Sequence, residues 1–217
     1  MRVSIIVGTR PEAIKLAPVI LSFNKSELFD TRVIVSGQHK EMTDQVLNIF
    51  GIKPNINLNI MKPGQTLSYI TSEILIKLKN EFLKYPPRLV LVQGDTTTAF
   101  AGGLAAFYEK IPLGHIEAGL RTNNIHNPFP EEANRRLISQ ISSINFAPTK
   151  SAKNNLISSG INTKILVTGN TVIDSLLYIA NKKSDFEIND IDWGKQRLIL
   201  ATIHRRENWG CNLKNIA

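Results

Sequence analysis

The chain has 217 residues, 26 Lys plus Arg against 18 Asp plus Glu for a formal charge of +8, and 42% hydrophobic residues, a composition that excludes a disordered or collagen-like chain. This length predicts one large domain or one and a half, burying ~70% of the unfolded surface and needing no disulfide staples. The lone Cys211 cannot pair within the chain, and neither a signal-like segment follows Met1 nor does an apolar run approach about 18 residues, so the expected location is the cytoplasm, away from membranes.

In chain order, apolar runs that read as strands alternate with stretches of helical spacing. A strand over 2–7 precedes a helix over 13–23. A strand over 31–36 precedes a helix over 42–50, and a further helix spans 66–83. Strands over 88–93, 112–116, 143–147 and 164–168 then alternate with helices over 97–108, 132–141, 152–158 and 172–180, and a last strand covers 197–203. Strands rich in Ile, Val and Leu without strict alternation are covered on both faces, which predicts an α/β fold with a doubly wound, Rossmann-like parallel sheet. Charged residues crowd 181–195, so residues 1–170 are expected to form one domain and 171–217 the incomplete start of a second.

The positive charge is dispersed, with no block of basic residues, zinc-ligand spacing or aromatic–basic interleaving, so no nucleic-acid partner is expected. Neither G-x-G-x-x-G nor a Walker motif follows the first strand, which removes a nicotinamide or P-loop site, and Tyr178 with Lys182 is a chance Y-x-x-x-K match.

In an open parallel sheet ligands collect at the carboxyl ends of the strands. After the first strand come Gly8, Thr9, Arg10, Pro11, Glu12 and Lys15, a helix start with two cations that suits phosphate, or equally an ordinary turn with solvated charges. Gly37, Gln38 and His39 follow the second strand. Asp95 follows the 88–93 strand and reads either as an acid–base group or as the N-cap of the next helix. Glu117, directly after an apolar strand, sits where burial raises a carboxyl pKa toward catalytic use, while His115 fits a structural place on the opposite face. Glu131 and Glu132 open a helix after Pro128 and Pro130, where acids also complement the helix dipole. His204, beside Arg205 and Arg206, suits a diphosphate that must be held and protonated.

Together the segments Val7-Gly8-Thr9-Arg10-Pro11-Glu12-Ala13-Ile14-Lys15, Gln93-Gly94-Asp95-Thr96-Thr97, His115-Ile116-Glu117-Ala118-Gly119-Leu120-Arg121-Thr122, Pro128-Phe129-Pro130-Glu131-Glu132, Val167-Thr168-Gly169-Asn170-Thr171 and His204-Arg205-Arg206-Glu207-Asn208 resemble the non-hydrolysing UDP-N-acetylglucosamine 2-epimerases. The resemblance implies the N-terminal half of a GT-B-like two-domain fold, with residues 171–217 beginning the UDP-binding domain. It also implies UDP-N-acetylglucosamine and UDP as ligands, no cofactor and no metal, and a homodimer at full length. Family members continue well past the His204 motif, so the resemblance is to a C-terminally truncated member. Some members bind a second substrate molecule through a segment similar to Gln38-His39-Lys40-Glu41-Met42 and a nearby Arg. Here Gly64 stands where that Arg would be, which leaves Gln38 and His39 as possible allosteric contacts and substrate activation open.

The implied reaction interconverts UDP-N-acetylglucosamine and UDP-N-acetylmannosamine for surface polysaccharide synthesis. UDP leaves carbon 1 as the proton leaves carbon 2, and re-adds after protonation from the other face. That route needs carboxylates near carbon 2 and cations around the diphosphate. Asp95, Glu117 and Glu131 fit the first need, and Arg10, Lys15 and His204 the second. The alternative is a catalytically silent sugar-nucleotide binding fragment.

Overall fold

The structure, a computed structural model, describes residues 1–37 and 40–182 with isolated positions 195, 197 and 199, and only the backbone of residues 40 and 41. Gln38, His39 and His204 lie outside the described residues, as does nearly all of the strand expected over 197–203. The chain divides into two compact units, Met1–Asn181 and Lys182–Ala217, and every described element falls in the first.

Along the first unit run β1 (Arg2–Val7), α1 (Arg10–Asn24), β2 (Asp30–Val35), α2 (Lys40–Ile49), β3 (Ile56–Asn57), α3 (Leu67–Lys84), β4 (Leu89–Gln93), α4 (Thr97–Tyr108), β5 (Leu113–Ile116), α5 (Glu131–Ile141), β6 (Ile144–Ala147), α6 (Lys150–Ser158), β7 (Lys164–Val167) and α7 (Thr171–Asn181). The strands form one sheet in the order β3-β2-β1-β4-β5-β6-β7, and each paired neighbour is parallel. Only β3 has no counterpart in the sequence reading. It is two residues long, too short to leave a periodic signal.

Successive strand residues point to opposite faces, so the central strands feed two cores, while Leu166 and Val167 of the edge strand β7 are exposed. Val3, Ile5 and Val7 of β1 pack with Ala13, Leu16 and Ile20 of α1 and Val46 and Leu47 of α2. Ile6 of the same strand joins Ile70, Ile74 and Leu78 of α3, Ala101 and Ala105 of α4, and Ile138 of α5 on the other face. Each fully buried Leu or Ile contributes roughly 1.5–3 kcal/mol by leaving water. The covered, doubly wound sheet expected from the Val/Ile/Leu runs is the sheet observed.

The sequence reading drew a boundary near residue 170, and in the structure α7 stays with the first unit. The Ser175 hydroxyl donates to the Ile14 carbonyl on α1, and the Tyr178 ring stacks on Phe50 with centroids 5.0 Å apart.

Strand order reverses between β1 and β4: the chain winds outward through β2 on one side and through β5 on the other. The crevice at the carboxyl ends of β1 and β4 is therefore the topological switch point, where open α/β sheets bind ligands. Two glycines let the backbone close there. A Cβ on Gly8 would run into Thr98 and Glu12, tightening the β1–α1 turn against α4. Gly119, at φ +93, lies so near α6 that a Cβ would collide with the Ala152 carbonyl.

Candidate active site at the switch point

At the end of β1, Thr9 caps α1 in a reciprocal capping box: the Glu12 Oε2 accepts from the Thr9 backbone N–H at 2.6 Å and from its hydroxyl at 2.8 Å. Glu12 Oε1 accepts from the Thr96 hydroxyl at 2.9 Å, so this side chain, 1% exposed, ties the start of α1 to the end of β4. The sequence reading gave Glu12 no role, although Thr9-x-x-Glu12 is the capping-box pattern. The box also changes the anion site expected here. A carboxylate of the chain itself takes the Thr9 amide, and Arg10, exposed on the first turn, remains for an external anion.

Burial lifts the Glu12 carboxyl from 4.5 to about 7, against the lowering effect of its Thr9 and Thr96 hydrogen bonds and with Asp95's charge adding to the rise. The folded value exceeds the unfolded one. The folded chain thus keeps a proton that the unfolded chain releases between pH 4.5 and about 7, and stability falls as pH rises through that window. Above it the buried charge costs about 3 kcal/mol. Glu12→Gln should remove this decline, as read from urea unfolding at about pH 5 and pH 8. An unchanged decline in the variant would place its source elsewhere.

At the end of β4, Thr96 caps α4, its hydroxyl oxygen accepting from the Ala99 amide at 3.0 Å. The reading of Asp95 as the cap therefore gives way. Its carboxylate instead pairs with the Arg135 guanidinium on α5, and its backbone carbonyl accepts from Asn134 Nδ2 at 2.9 Å.

At the end of β5, Glu117 adopts φ +65, a left-handed backbone that costs a non-glycine residue of order 1 kcal/mol and is met most often where a site requires it. Lys15 Nζ donates to Glu117 Oε2 at 2.6 Å, and Gln93 Nε2 donates to the same oxygen. Both donors use Oε2, and Oε1 keeps its lone pairs for another partner. Lys15, expected beside the diphosphate, is thus brought to a carboxylate. Gln93 is a site residue that the sequence reading quoted without a role.

Glu131 and Glu132 open α5 as neighbours with opposite surroundings. Glu131 is half-buried and makes no hydrogen bond or ion pair among the described residues. Glu132 is fully buried and accepts from the Thr122 amide at 3.0 Å and Arg136 Nε at 2.7 Å, with Arg135 at 3.4 Å. Arg136 closes the clamp by donating to the Thr122 carbonyl at 2.9 Å. Glu132 so fixes the segment from β5 to α5, and through Arg135 it is linked to Asp95.

Arg121 lies in the same cluster, its pKa lowered by burial, with Glu132 opposing that shift and Arg136 and Arg135 adding to it. Arg121 Nε and Arg135 Nε are buried without a hydrogen-bond partner among the described residues. Three guanidiniums thus gather around Glu132 and Asp95, a cationic surplus suited to an anionic ligand. Among the described residues no cluster of His, Cys, Asp or Glu could hold a metal ion, and no helix is long and apolar enough to cross a membrane.

The structure therefore brings Asp95, Glu117, Lys15 and, through α5, Glu131 to one end of the sheet, with Arg10 on the adjoining helix start. The sequence profile of the UDP-N-acetylglucosamine 2-epimerases matches residues 22–217. The UDP-N-acetylglucosamine 2-epimerase of Neisseria meningitidis serogroup A is 51% identical over 228 positions, a match covering 100% of this chain and 60% of the relative. The crystal structure of the N. meningitidis enzyme bound to UDP-GlcNAc matches with TM-score 0.80 and 56% identity, over 82% of this chain and 48% of that one. The Methanocaldococcus jannaschii enzyme in complex with UDP-GlcNAc and UDP matches with TM-score 0.79 and 42% identity, over 85% of this chain and 52% of that one. The chain spans 60% of the length of its N. meningitidis relative.

Proposed function

The chain belongs to the UDP-N-acetylglucosamine 2-epimerase family, and from that premise we propose that it supplies the proton-transferring half of an enzyme that interconverts UDP-N-acetylglucosamine and UDP-N-acetylmannosamine. The observation that carries this reading is the set of carboxylates at the switch point, with Glu117 held in a strained backbone by Lys15 and Gln93.

The hydrogen on carbon 2 of an N-acetylhexosamine has no adjacent carbonyl to stabilise a carbanion. In the proposed route one carboxylate removes it while the carbon 1–oxygen bond breaks, so that UDP departs and a carbon 1–carbon 2 double bond forms. UDP then re-adds at carbon 1 as a proton arrives on the other face of carbon 2. Inversion requires proton transfer on two faces, and Asp95, Glu117 and Glu131 provide more than one carboxyl for it. Arg10, the Arg121–Arg135–Arg136 group and His204 are assigned to charge on the diphosphate. The same proposal takes the residues after Asn181 as the start of a UDP-binding domain, Gln38 and His39 as allosteric contacts, the assembly as a homodimer and its place as the cytoplasm.

The test is incubation of the full-length protein with UDP-N-acetylglucosamine, the 217 residues alone being expected to give no measurable epimer, and detection of the C2 epimer by proton NMR. Appearance of UDP-N-acetylmannosamine, approached equally from either epimer, is expected. An unchanged sugar nucleotide in the presence of the folded full-length protein would set this reading aside.

A further inference from the structure

His115 is fully buried in β5, and its imidazole takes no part in the route above. Its Nε2 lies 2.7 Å from the Gly94 carbonyl. A carbonyl only accepts, so Nε2 carries the hydrogen and the neutral ring has a bare Nδ1. Nδ1 faces the Ser139 hydroxyl at 3.5 Å, and that hydroxyl donates its one hydrogen to the Arg135 carbonyl at 2.8 Å. Burial holds His115 neutral, lowering its pKa from 6.5 to about 4 against the Gly94 and Asn145 bonds, with Arg121 and Arg135 reinforcing the effect. The donor is therefore present in one tautomer throughout the physiological range.

Gly94 stands at φ +72, where the backbone turns out of β4. Its N–H donates to the Ile116 carbonyl at 2.9 Å while its own carbonyl receives His115, so β5 pins this residue at both polar ends. The next residue is Asp95, which Arg135 and Asn134 hold from α5. Asp95 thus sits between two anchors, and the one on the β5 side is a side chain.

We propose that His115 is a positioning residue that aims Asp95 through the Gly94 carbonyl and so sets its reach toward the reacting carbon. This rests on the epimerase reading for its consequence, and on the hydrogen-bond geometry for its content. Without the Nε2 donor the partly buried Gly94 carbonyl loses its side-chain partner, and the turn relaxes to find another. A shift of about 1 Å in a reacting group costs up to ~10²-fold in rate.

His115→Met fills the space without the donor, and His115→Gln replaces it with an amide N–H at similar reach. Crystal structures of both should show the Asp95–Arg135 pair displaced in His115→Met and kept in His115→Gln. In turnover, His115→Met should lose roughly 10- to 100-fold in kcat with little change in KM, His115→Gln should regain most of it, and His115→Met should add no further loss to Asp95→Asn. Should His115→Met fail to fold, His115→Asn, too short to reach Gly94, takes its place. An Asp95–Arg135 pair unmoved in the donor-less variant overturns the proposal, as does an equal loss in the Asp95→Asn background. If the unaltered protein does not turn over the sugar nucleotide, the epimerase reading fails while the crystal structures still decide the role of His115.

Discussion

Asp95→Asn, Glu117→Gln and Glu131→Gln should each lower turnover of the full-length protein by on the order of 10²-fold or more without unfolding it. Each replacement keeps the shape of the side chain and removes its capacity to take or give a proton. The settings differ, and so should the side effects. Asp95→Asn weakens its pair with Arg135, and Glu117→Gln leaves Lys15 beside a neutral amide. Glu131→Gln breaks no bond among the described residues. The thermal midpoint should therefore fall for the first two and hold for the third. Rates of epimer interconversion measured alongside those midpoints separate chemistry from folding, and near-normal turnover in any variant removes that carboxyl from proton transfer.

The adjacent acid should behave in the opposite way. Glu132→Leu takes away a buried carboxylate that receives Thr122, Arg136 and Arg135, leaving the Thr122 amide without its acceptor and the half-exposed Arg136 without its counter-charge, while Arg135 keeps Asp95. An unpaired backbone amide and a half-exposed guanidinium without its partner together cost about 1–3 kcal/mol, which in a domain of this size lowers the thermal midpoint by roughly 5 °C. Glu131→Gln is the control, because a half-exposed residue without partners among the described residues should change stability by about 0.5 kcal/mol or less. Calorimetry of the two variants side by side checks this, and equal midpoints would mean that the Thr122–Glu132–Arg136 clamp does not hold the β5–α5 segment.

The sheet and its helices were legible in the sequence because both faces of the strands are covered. Val3, Ile5, Ile6 and Val7 must all be apolar when alternate residues feed two cores, and the helices between carry their own 3.6-residue stripe. The two-residue β3 left no such trace. The polar residues at the strand ends were legible as a set, since the end of a parallel strand is where a polar side chain meets the crevice. Their partners were not. Lys15 and Glu117 are 102 positions apart, and Asp95 and Arg135 are 40 apart; such pairs follow from strand order, which composition and period do not encode. Glu131 and Glu132 are alike in sequence, and the helix turns one into the clamp and leaves the other without a partner among the described residues. Glu12 carried a local signal, the capping box, but its bond to Thr96 again depends on β1 and β4 being neighbours.

The fate of the hydrogen on carbon 2 tests the central claim most directly. With the full-length protein and UDP-N-acetylglucosamine in heavy water, proton-transfer chemistry at the switch point predicts UDP-N-acetylmannosamine bearing deuterium at carbon 2. Label should also accumulate at the same carbon of the remaining substrate, and Asp95→Asn, Glu117→Gln and Glu131→Gln should each suppress it. Epimer formed with its original hydrogen retained at carbon 2 would contradict the account.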